Sequence, residues 1–113
     1  VNDETAPLRE WPPTVQEFLD AYKTCGLKPT TGQWLREEER ICCPIMALIA
    51  ADDKIYKWKE LRGKDFGVHA AQQVLVSMGW RVGLHEIWEF TEAFDRCASR
   101  SAVARALRVA LDI

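Results

Sequence analysis

The sequence predicts a mainly α-helical protein, a compact bundle of four or five helices with at most one short strand or hairpin near 33–36. Three observations carry that expectation. Apolar residues recur at three- and four-residue spacing in "TVQEFLDAYKTCG" and "GLHEIWEFTEAFDR". Helix starts and stops are written beside these runs, in Thr14 with Glu17, in Pro44, and in Gly26 and Gly79. The chain has 113 residues and is 48% hydrophobic, which fits one domain with one core.

The elements follow in order. Residues 1–13 read as a polar, proline-containing arm, with Trp11 able to fold back onto a body formed by 14–113. The first helix is expected from about 14 to 25. Thr14 and Glu17 form a capping box, in which each side chain satisfies a free backbone N–H. Pro13 and Phe18 are placed to pack as a staple. Val15, Phe18, Leu19 and Tyr22 share one face, and Gly26 supplies the left-handed stop.

The next stretch, "LKPTTGQWLREEER", allows two readings. Pro29 and Gly32 mark turns. Beyond them, 33–36 reads as a short strand, or 33–41 as a helix with Trp34, Leu35 and Ile41 inward. Pro44 then opens a helix through "CCPIMALIAADD", because proline suits the first helical position, and Cys43 becomes its N-cap. After a basic, aromatic connection, "DKIYKWKELRGK", a helix is expected over about 66–78, capped by Asp65 and ended by Gly79. Its buried stripe is Ala71, Val74, Leu75 and Met78.

A further helix is expected over about 84–98. Leu84, Ile87, Trp88, Phe90, Phe94 and Cys97 form its apolar side, and His85, Glu86, Glu89, Glu92 and Arg96 its wet side. Ser99 or Ser101 caps a last helix with Val103, Ala106, Leu107, Ala110 and Leu111 on one stripe and Arg105 and Arg108 opposite. That last stripe either completes the core or pairs with a second copy in a two-fold dimer.

The path "FLDAYKTCGLKPTTGQW", "CCPIMAL", "SMGWRVGLHEIWEFTEAFD" resembles a set of small uncharacterised bacterial proteins, some carried on mobile gene cassettes. The resemblance spans about residues 16–96. Ala93 and Arg96 stand where that pattern has glycine. It implies shared core elements and carries no active site with it.

Composition limits function. Net charge is -2, which argues against a general nucleic-acid binder. No apolar run is long enough for a membrane span, and no signal-like segment is seen, so reduced thiols in a cytoplasm are expected. No phosphate loop or hydrolase elbow occurs.

Cys42 and Cys43 admit three readings. They lack the two-residue separation of paired structural zinc ligands. At a helix start, Cys43 could be a reactive thiol with Cys42 or Cys97 as partner, because the positive end of the helix stabilises a thiolate. Flanked by Ile41, Ile45 and Met46, both could instead be buried and inert. His85 and Glu89 lie one turn apart but lack the further ligands a metal site needs, so neither metal nor cofactor is expected.

Residues 54–64 interleave basic and aromatic side chains, a pattern that can bind nucleic acid or simply solubilise a connection. Trp34, Trp80 and Trp88 are expected in the core. The leading expectation is a non-enzymatic binding or interaction domain, for a protein, a small ligand or its own copy. Its candidate surface joins Trp11, Tyr56, Lys57, Trp58 and Lys59.

Overall fold

A computed structural model describes residues 9–32, 34–36, 38–52, 67–96 and 101–113. Among them are five helices and five two-residue strands: β1 (Arg9–Glu10), α1 (Val15–Cys25), β2 (Lys28–Pro29), β3 (Leu35–Arg36), β4 (Ile41–Cys42), α2 (Pro44–Ala51), α3 (Val68–Ser77), β5 (Trp80–Arg81), α4 (Leu84–Arg96) and α5 (Ala102–Leu111). The protein is thus mainly helical with small sheets. None of these helices is long and apolar enough to cross a membrane.

Helix α1 forms as its caps dictate. The Thr14 hydroxyl accepts from the Glu17 N–H at 3.1 Å, and the Glu17 carboxylate accepts from the Thr14 N–H at 2.9 Å. Gly26 turns left-handed at φ 75° and donates its N–H to the Tyr22 carbonyl. That turn sends the chain back as β2, which runs parallel to β4, while β3 lies antiparallel on the other side of β4. The two open readings of 33–41 resolve toward the strand at Leu35–Arg36.

Pro44 starts α2 with Cys43 as its N-cap. Every residue from Pro44 to Ala50 is buried, so this helix runs through the interior and packs chiefly on α1. Two parallel short strands, β1 and β5, tie Arg9 and Glu10 to the α3–α4 turn. Gly67 caps α3. The expected Asp65 cap and a start at 66 lie outside the described residues.

An aromatic spine joins these elements. Phe18 of α1 stacks on Phe90 of α4 at 5.0 Å, and Phe90 lies parallel to Phe94 at 6.3 Å. Trp11 meets both Trp80 and Phe90 edge-on at 5.8 Å. All three phenylalanines are almost fully buried.

Two helix faces differ from the sequence expectation. Trp88 is 49% exposed and Leu84 38% exposed. The buried face of α4 centres on Ile87, Phe90, Ala93 and Phe94, and Trp88 lies about 100° around the helix from Ile87. In α5 the inward residues are Ala104 and Leu107, with Val103 and Leu111 partly covered, while Ala106 and Ala110 face outward.

Arg108 explains the rotation of α5. Its guanidinium donates to the carbonyls of Phe94 and Asp95 near the end of α4, where helical carbonyls lack partners. It also sits over the Phe94 ring at 5.9 Å. A charge expected outside is therefore drawn against the helix junction.

Two stability outcomes follow. Phe90→Ala removes the ring shared by Phe18, Phe94 and Trp11, and should lower unfolding free energy by about 3–5 kcal/mol in urea titration. Thr14→Ala should cost about 1 kcal/mol by the same measurement, because only the α1 cap is lost. Equal losses from both variants would contradict this picture of the core.

Candidate functional site

Three of the four cysteines come together where α1 ends and α2 begins. Cys25 closes α1 and is half-buried, whereas Cys42 in β4 and Cys43 at the α2 cap are buried. The register of β2 on β4 places Pro29 opposite Cys42, and the Lys28 N–H donates to the Arg40 carbonyl at 2.8 Å. The Tyr22 hydroxyl, on the inner face of α1, donates to the Cys42 carbonyl at 2.9 Å. This buried bond fixes β4 against the last turn of α1.

The three thiols have different chemistry. The Cys25 S–H donates to the Tyr22 carbonyl at 3.7 Å, and the neighbouring Cys42 thiol is the largest influence holding the Cys25 thiol down at about 6. Partial burial opposes that shift, while backbone N–H groups and Arg40 support it. Arg40 is left-handed at φ 56°, and its Nη2 would stand 3.7 Å from a methyl placed on Gly26.

The neighbouring Cys25 raises the Cys42 thiol, and burial raises it further. Burial pushes Cys43 up to about 12, despite the helix N–H groups of Met46 and Ile45. Burial also raises Tyr22, so its hydroxyl stays a donor. The helix-start argument for a thiolate at Cys43 is thus outweighed by desolvation.

On the other side of Cys43 lies a half-open cavity of about 110 Å³. Trp34, Phe90 and Phe94 wall it, with Cys43, Thr91 and Asp95 among its other lining residues. The Cys43 N–H donates to the Trp34 carbonyl at 3.0 Å, which holds β3 beside the α2 start. Asp95 accepts from the Gly32 N–H at 3.0 Å, and the Thr91 hydroxyl donates to the Trp88 carbonyl at 3.0 Å. Asp95 and Thr91 each make one of these bonds, and the recess presents polar and apolar surface in similar measure, with the Phe90 and Phe94 rings almost fully buried behind it.

Of the expected binding residues, Trp11 is half-buried in the aromatic spine. It also lines a more open groove of about 310 Å³ with Glu86 and Glu89. Tyr56, Lys57, Trp58 and Lys59, like the rest of 54–64 and Cys97, lie outside the described residues. The structure therefore places Trp11 beside acidic residues. His85 and Glu89 stand 3.5 Å apart on the exposed side of α4, and Glu92 pairs with Arg96 at 3.8 Å. Among the described residues no three His, Cys, Asp or Glu side chains converge as a metal set.

Sequence reasoning missed Cys25 as a neighbour of Cys42, and Asp95 and Thr91 as lining residues. Gly26 after Cys25 was the available signal, because a left-handed stop reverses the chain there. The two-residue strands that bring Cys42 alongside are too short to show a period. Compared with known protein families, with curated proteins and with solved structures, the chain matches none.

The unequal thiols give a direct outcome. Iodoacetamide labelling of the folded chain should mark Cys25, with its rate rising through a midpoint of about 6 and then levelling. The sign follows from the thiolate being the nucleophile, so the rate tracks deprotonation. Cys43 should label only on unfolding. A rate at Cys25 still climbing between pH 8 and 9 would contradict the lowered Cys25 thiol.

Proposed function

We propose that the protein is a small non-enzymatic binding domain that receives one apolar side chain of a partner between Trp34, Phe90 and Phe94. The observation that carries this reading is the half-open cavity of about 110 Å³ whose lining includes Trp34, Phe90 and Phe94 beside Thr91 and Asp95. Its walls come from the segment before β3 held against the start of α2 and the last turns of α4, so the recess is present before a ligand arrives. Pockets of this kind hold the few anchor residues that supply most binding energy at protein interfaces. The volume is somewhat below the roughly 150 Å³ of an apolar cavity that accepts benzene, which suits an aliphatic side chain. A cytoplasmic setting with reduced thiols belongs to this reading and rests on the sequence.

A second reading, self-association, has its own observation. Ala106, Val109, Ala110 and Ile113 are exposed at helical spacing along and just beyond α5, with Val109 81% exposed. The occupant this stripe suits is a second copy, because two small-residue faces can approach closely about a two-fold axis. Sedimentation analysis should then show a dimer that Val109→Glu converts to monomer. A monomer at all concentrations would remove the dimer and leave the recess unaffected.

The recess is tested with isobutanol, an aliphatic probe of matching size, followed by amide chemical shifts. Saturable changes should centre on Gly32, Trp34 and Phe94. Thr91→Leu, which fills the wall, should weaken binding about tenfold, or about 1.4 kcal/mol. Shifts that stay linear and scatter over the surface would count against the reading.

A further inference from the structure

We propose that the partner received at the recess is a basic amphipathic helix, which lies along the outward face of α4 and sends one aliphatic side chain between Trp34, Phe90 and Phe94. The inference deepens the binding reading and rests on it, since the recess supplies the anchor and α4 supplies the track.

Three observations define the track. First, Leu84, Trp88, Thr91 and Asp95 follow one another at four-, three- and four-residue spacing, so they form one ridge along α4. From Leu84 to Asp95 that ridge rises about 16 Å, or three turns. Second, the ridge runs into the recess, because Thr91 and Asp95 both line the cavity. Third, its other end is apolar and uncovered. Leu84 and Trp88 are both exposed, and His85 stacks on the Trp88 ring at 6.1 Å. A tryptophan steadied beside a pocket is the kind of residue that supplies binding energy once a partner covers it.

Charge selects the occupant. Four carboxylates stand on α4, those of Glu86, Glu89, Glu92 and Asp95, against one arginine, Arg96. Glu92 pairs with Arg96 at 3.8 Å and Glu89 with His85 at 3.5 Å, and both of these partners are largely exposed. Such pairs are weak and leave the face acidic. An apolar ridge edged by carboxylates suits a helix whose apolar stripe is edged by lysine or arginine. A helix fits better than an extended strand, because the ridge repeats at the same three- and four-residue spacing as the stripe of a facing helix. A second copy of this chain does not fit here. A two-fold contact on this face would set its carboxylates against one another.

The test titrates the full chain with a synthetic amphipathic helix of leucine, alanine and lysine, about four turns long, and follows amide and indole chemical shifts. A matched peptide carries glutamate in place of lysine. The lysine peptide should give saturable shifts at Gly32, Leu84, Trp88 and Thr91, and should displace isobutanol from the recess. The glutamate peptide should bind at least about tenfold more weakly. Trp88→Ala should weaken the lysine peptide about tenfold while isobutanol binds as before. Glu92→Gln keeps the side-chain shape and should weaken the lysine peptide about threefold. Equal affinity for the two peptides, or unchanged affinity in both variants, would overturn the proposal. Failure of the lysine peptide with isobutanol still saturating would overturn it and leave the recess intact. Failure of both probes would remove the recess reading as well.

Discussion

Helix α2 has no wet side, and the arrangement of the other elements answers to that. From Pro44 to Ala50 every side chain is buried. A helix that is apolar all round must be covered from all directions. The amphipathic helix α1 packs most extensively against it, and α3 also lies along it. Its start needs a partner too, because the first backbone N–H groups of a helix have none within it. Pro44 removes one of these donors, and the β3–β4 pair brings Trp34 to accept from the Cys43 N–H.

This covering explains why three similar cysteines behave differently. Adjacent residues at a helix start point apart, so Cys42 faces the end of α1 and Cys43 faces the aromatic recess. Cys43 has the favourable position by helix electrostatics, yet it is buried, and removing a thiolate from water outweighs the pull of a short helix. Cys25 lies at the C-terminal end of α1, the unfavourable end for an anion. It is nevertheless the acidic thiol, because it keeps partial access to water and has the Cys42 thiol, backbone N–H groups and Arg40 acting on it. Local contact and exposure outrank helix position at both sites.

The aromatic spine links the two regions. Phe90 touches Phe18 on one side and Trp11 on another, and it also walls the recess with Phe94. Trp11 is consequently a structural ring as well as a groove wall. Arg108 closes the far end by satisfying carbonyls near the end of α4, which fixes the roll of α5 and leaves Val109 outward.

The sequence by itself determined the helices. Capping at Thr14 and Glu17, the Pro44 start, the Gly26 stop and the Ser101 cap are local chemistry, and each is realised within a few residues of where it is written. It also marked the core face of α1, because a helical period is visible over eleven residues. Tertiary structure alone decided the rest. Two-residue strands carry no period, so the β2–β4 register that brings Cys25 to Cys42 could not be read. The roll of α5 depends on a bond from Arg108 to another helix, and the exposure of Trp88 depends on which side of α4 the spine occupies. The recess depends on three rings from segments separated by more than fifty residues. Helix boundaries come from near neighbours in the chain, whereas burial, thiol acidity and cavities come from groups that only folding brings together.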